Sequence, residues 1–158
     1  METMAFFEWL DASMLASVSK AYGGIFAVVQ MFHLAALAVL GGMVLVSDLR
    51  LLNVVMRDVP SEQVTASTDR FFDIALWVLL ISGIFMSSAV ALKLYYNEMF
   101  WAKMWALLAG ALFVYLVRRP LLKGDHDSIS PWTMRSVAVA SIFVWFTVAA
   151  CGRWIGFS

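Results

Sequence analysis

The sequence predicts an all-α membrane protein, a four-transmembrane-helix bundle with an N-terminal amphipathic interfacial helix. Two observations carry this. Of the 158 residues, 63% are hydrophobic and only 14% are charged, against roughly 45–50% apolar in ordinary soluble domains; the mean hydropathy is +0.85. The charges also fall between long apolar runs, four of which reach the roughly 20 residues that a bilayer-spanning helix needs. Only helices or closed barrels satisfy their backbone in lipid, so four such runs read as four helices.

The spans are expected at about 21–46, 71–92, 98–117 and 131–155, within one membrane domain covering 1–158. Asn97 before Glu98 is a plausible N-cap for the third span. Ser130 followed by Pro131 gives the fourth an N-cap with proline at the first helical position. Pro120 stops the third soon after Arg118 and Arg119. Residues 1–20 form the interfacial segment, because Phe7, Leu10, Met14 and Val18 recur at helical spacing and Trp9 suits headgroup level. Glu2, Glu8 and Asp11 stand where a secretory signal would be basic, so no cleavable leader is expected. "DLRLLNVVMRD" at 48–58 sets Arg50, Asn53 and Arg57 on one face and is expected to prolong the first helix out of the bilayer.

Lysine and arginine counts in short loops set orientation. Arg50, Arg57, Arg70, Arg118, Arg119, Lys123 and Arg135 lie on one side, and Lys20, Lys93, Lys103 and Arg153 on the other. Seven against four places both termini outside, periplasmic for a bacterial inner membrane. The balanced net charge leaves no nucleic-acid footprint. A single cysteine, Cys151, excludes an intrachain disulfide and a multi-thiolate metal site. No nucleophile–base spacing and no glycine-rich phosphate loop appears, so hydrolase and nucleotide-binding readings lack support.

One residue breaks the apolar pattern. His33 lies 12 residues past Ala21, about 18 Å down the first span at about 1.5 Å per residue. An ionisable side chain at that depth is a functional candidate by default. Imidazole is the usual protein ligand to haem iron, and helical bundles hold haem between facing helices. Gln30, one turn earlier, is expected as the hydrogen-bond partner of His33. Lys103, about 8 Å into the third span, and Arg153, near the end of the fourth, are expected propionate partners, with snorkelling to headgroups as their plain alternative. His126 should sit about 20 Å from His33 along the membrane normal, so one iron cannot bind both; it reads as a solvated loop residue. Within one chain a sixth ligand would be a methionine such as Met31, Met43, Met86 or Met104, water, or nothing, unless a neighbouring copy brings in a residue; with one such histidine per chain in a small bundle, a homo-oligomer is expected. Asp73 and Arg70 are spaced to pair on one helix face. The residues leave three readings open: haem b with redox or small-oxidant chemistry and a redox partner or quinone; copper held by His33 and methionines; or a structural Gln30–His33 pair in a non-catalytic scaffold.

"FFEWL" at 6–10, "VVQMFHLAALAVLGG" at 28–42, "SDLRLLN" at 47–53, "NEMFWAKM" at 97–104 and "GRWIGF" at 152–157 together resemble a family of small four-span bacterial inner-membrane proteins of unknown function. That family is in turn distantly similar to the copper-resistance D type of membrane protein. The resemblance covers nearly the whole chain. It implies an acidic residue three before the histidine, a DLRLL-like segment and a lysine early in span three. His33, Asp48, Arg50 and Lys103 match, whereas Gln30 stands in place of the acid.

Overall fold

A computed structural model of the protein describes residues 2–123 and 128–157. Two short helices, α1 (Glu2–Asp11) and α2 (Met14–Ala21), lead into α3 (Gly23–Leu51). Then come α4 (Ser61–Ala89), α5 (Ala91–Tyr95) and α6 (Glu98–Leu112), which runs through a π-helical turn (Phe113–Arg118) into α7 (Arg119–Leu121). The last helix, α8 (Pro131–Trp154), closes with a 3-10 turn, Ile155–Phe157. No strand occurs among the described residues, and four helices are long and apolar enough to cross a membrane. The expected all-α four-span bundle is the fold observed. His126 lies outside the described residues.

The surface is that of a lipid-facing protein. Trp77, Ile81, Leu116, Phe143 and Phe146 are all more than 60% exposed, while Ser47, Ser88 and Ser141 are fully enclosed. Lipid tails solvate large apolar side chains as well as a core does, so the interior is left to small and hydrogen-bonding residues that let helices approach. α3 packs on α4 and α8, and α8 packs on α6. Leu40, Val44, Phe72, Leu76, Val114 and Trp145 fill the centre, with the Phe72 and Trp145 rings edge to face at 5.1 Å.

Gly110 lets side chains of α8 pack directly against the α6 backbone. A Cβ there would meet Val144 Cγ1 at 3.0 Å and Trp145 Cζ2 at 3.4 Å. Gly110→Val should therefore push α6 off α8 and destabilise the protein by about 1–3 kcal/mol through overpacking, read as a lowered thermal midpoint in detergent.

Four boundaries differ from the sequence expectation. Residues 1–20 are two helices rather than one. Ser13 ends the continuity because its side chain caps α2, accepting from the Ala16 N–H at 3.2 Å. The register restarts there: Phe7 and Leu10 are buried as expected, but Met14 is 84% exposed and Ala16 and Ser19 face inward instead. α1 lies on α5 and α2 on α4, across one end of the bundle.

The first span does continue to Leu51, but Arg57 is beyond the helix. Asn53 adopts a left-handed φ of 60°. The Val54 N–H then reaches Leu49 O and the Asn53 N–H reaches Arg50 O, both at 2.9 Å, the paired closing bonds usually built around a glycine. Arg50 folds back to donate to Val59 O at 2.7 Å, holding the loop to the helix end.

α4 starts ten residues before the predicted span. Its first turns are amphipathic rather than apolar, with Val64, Thr65, Thr68, Phe72 and Leu76 buried at helical spacing. Pro120, expected to stop the third span, instead distorts it. Its ring has no N–H and crowds the carbonyl four residues back, and the π turn Phe113–Arg118 immediately precedes it. Such turns re-aim the side chains they carry.

Candidate functional site

His33 stands ten residues into α3, about 15 Å from its start, half-buried against α4. Its Nδ1 is 2.8 Å from Ser82 Oγ. The Ser82 hydroxyl donates its only proton to Val78 O on its own helix, a common bond for serine inside a helix. Ser82 must then accept from His33, so Nδ1 carries the imidazole proton and Nε2 keeps the lone pair. Gly83 adjoins the same ring: a Cβ on it would lie 3.5 Å from His33 Cε1. α4 thus orients the ring with one residue and leaves room beside it with the next.

Lys103 reaches this region from α6. Its stem crosses Gly152 of α8, where a Cβ would sit 3.3 Å from Nζ and 3.4 Å from Cε. The ammonium lies within Coulombic reach of His33 and of Cys151. It has no carboxylate partner among the described residues. A half-buried cation without a counter-ion, near a histidine with a free lone pair, is poised for an anionic group.

Two expected members are elsewhere. Gln30 is exposed on the outer face of α3. It makes no hydrogen bond to His33; Ser82 takes that part. Three residues along a helix turn the side chain by 300°, so Gln30 is 60° away from His33 around the axis. Here that angle separates the α4 contact from the exterior. Arg153 is exposed, and its guanidinium stacks on the Phe157 ring at 4.5 Å rather than turning toward Lys103. Of the methionines, Met31 is 66% exposed, and Met43 lines a small cavity beside Arg118.

A second polar constellation sits at the opposite end of the bundle. Arg118, 5% exposed, donates through one nitrogen to Ser47 Oγ at 2.6 Å and to Asp48 Oδ1 at 3.0 Å. Asp48 is completely buried. The other Arg118 nitrogen reaches Asp69 at 3.4 Å. Arg119 pairs with Asp73 at 2.7 Å and lies 4.6 Å over the Tyr115 ring, whose hydroxyl donates to the same Asp73 oxygen at 2.6 Å. The π turn makes this arrangement, presenting Arg118 to α3 and Arg119 and Tyr115 to α4. Asp73 is thus bound to α7 and the π turn, not to Arg70 as its spacing suggested. A usable signal was present in the sequence: Asp48, Asp69 and Asp73 close two spans at the level where Arg118 and Arg119 close a third.

Four apolar spans around one oriented imidazole, with a charge-paired core at the other end, define a multi-pass helical membrane protein. The chain belongs to DUF6644, a family of unknown function, whose profile matches residues 6–158. Neither a curated protein nor a solved structure matches the chain.

Proposed function

We propose that the protein is a small membrane cytochrome in which His33 binds haem b through Nε2. The observation that carries this reading is the 2.8 Å contact between His33 Nδ1 and Ser82 Oγ: with Ser82 as acceptor it leaves Nε2 free and fixes the ring plane, as partners of metal-binding histidines do. The residues present fit the group. Haem brings four nitrogen donors of its own, and a single protein ligand is enough to hold it. Copper held by His33 and methionines would need several of them beside the imidazole, whereas Met31 is 66% exposed and Met43 lines the cavity beside Arg118.

Bound haem would supply one-electron iron chemistry, serving electron transfer or small oxidants. The chain's own residues hold and tune it. His33 donates the lone pair, Ser82 keeps the imidazole in one tautomer, and Lys103 offers its unpaired charge to a propionate. A sixth ligand from a second copy would make the unit a homo-oligomer, and a quinone or redox protein would be its partner. The excess of basic residues at the Arg118 end supports a bacterial inner-membrane orientation with both termini periplasmic.

The test is haem titration of the detergent-purified protein, followed by visible absorbance. The wild type should develop a Soret band at one haem per chain. Ser82→Ala should keep the band and weaken haem affinity about 10–100-fold. A wild-type protein that stays colourless after reconstitution refutes the reading, and Ser82→Ala with unchanged affinity refutes the part given to Ser82.

A further inference from the structure

α4 packs on α3 and α6 packs on α8, leaving α4 and α6 to be bridged by side chains rather than by close backbone packing. Between them, at the Arg118 end, opens a cleft of about 1190 Å³, above the roughly 300–1,000 Å³ of typical small-ligand sites. Its lining mixes three acids with four bases, but those charges are not equally available. Asp69 is held by Arg118 and Arg119, and Asp73 by Arg119 and Tyr115. Glu62, the third acid, is engaged as well. Arg70 and Lys123 are exposed at the mouth and have no ion-pair partner among the described residues. Among the described residues lining the cleft, the charge left to face outward is therefore positive. From the cleft, α4 continues toward mid-membrane with Ile74 (52% exposed), Trp77 (63%) and Ile81 (66%) along one face.

We propose that this cleft binds an anionic phospholipid, its phosphate between Arg70 and Lys123 and an acyl chain along Ile74, Trp77 and Ile81. The match is in both chemistry and place: two exposed cations without an ion-pair partner among the described residues, at the end of the spans where headgroup phosphates lie, continuous with an apolar strip on the helix that carries Arg70. Basic pockets between spanning helices suit such headgroups. The internal ion pairs keep Asp69 and Asp73 from repelling the phosphate. This inference does not rest on the haem reading, because none of these residues belongs to the His33 site.

The experiment is native mass spectrometry of the detergent-purified full chain, titrated in turn with phosphatidylglycerol, phosphatidylcholine and inorganic phosphate. Phosphatidylglycerol should bind at one site in preference to phosphatidylcholine. The Arg70→Gln/Lys123→Gln double variant should lose about 30-fold in phosphatidylglycerol affinity, roughly fivefold per cation. Its thermal midpoint without lipid should be unchanged, and Arg70→Lys/Lys123→Arg should retain the preference. Equal binding of the two lipids overturns the proposal, as does a preference that survives in the double variant. Binding of inorganic phosphate as tight as that of the lipid also overturns it, by removing the need for the apolar strip.

Discussion

Arg118→Met should destabilise the bundle by about 3–5 kcal/mol, because it leaves a buried carboxylate without its counter-ion. Asp48 has no exposed surface, and Arg118 supplies its only ion pair among the described residues, while also binding Ser47 and Asp69 from two different spans. Removing the guanidinium breaks all three contacts at once and strands the Asp48 charge. Asp48→Leu alone strands the arginine in the same way, though Asp69 still offers it a partner, so its effect should be smaller. The double variant Asp48→Leu/Arg118→Met should recover much of the loss, since replacing a buried pair by apolar residues removes the desolvation penalty along with the attraction. Thermal unfolding of the four proteins in one detergent forms a double-mutant cycle. A single Arg118→Met with a wild-type midpoint would show that the pair does not hold the bundle together.

His33→Gly should abolish haem binding while leaving the helices assembled. His33 is only half-buried, and its interhelical hydrogen bond is the single one to Ser82; the net stabilisation from such a bond is about 1 kcal/mol. Its loss is small beside the Arg118 effect, so any disappearance of colour reports ligation rather than unfolding. The space left beside Gly83 suits a free imidazole. Millimolar imidazole should then restore the Soret band in His33→Gly and leave the wild type unchanged. No band in the wild type, or one that persists in His33→Gly without imidazole, would contradict direct ligation by His33.

Apolar run length was enough to find the four spans, because lipid demands it of each helix separately. It failed where a helix leaves the bilayer. The first turns of α4 are written as Val64, Thr65 and Thr68 among polar residues, a pattern that only a partner helix makes readable. Pro120 was legible as a helix disturbance but not as the source of a π turn, because the α7 continuation depends on Arg119 finding Asp73 and Asp69 across the cleft. The site divides in the same way. His33 stood out as the one ionisable group within its apolar run. Its partner did not, since Ser82 is one of several serines in α4 and lies 49 residues away. Gln30 was proposed from proximity along one helix, and the 60° of rotation defeated it. Counting Arg118 and Arg119 as loop charges hid their inward role, because loop counting carries no information about which way a helix turns its last residues.

Ligation of haem by His33 Nε2 is tested most directly by the reduced-minus-oxidised visible spectrum of haem-reconstituted wild type beside His33→Ala. Sharp α and Soret features should appear in the wild type and be absent from His33→Ala, with both proteins melting within a few degrees of each other. Identical spectra from the two proteins, or no features in either, would contradict it.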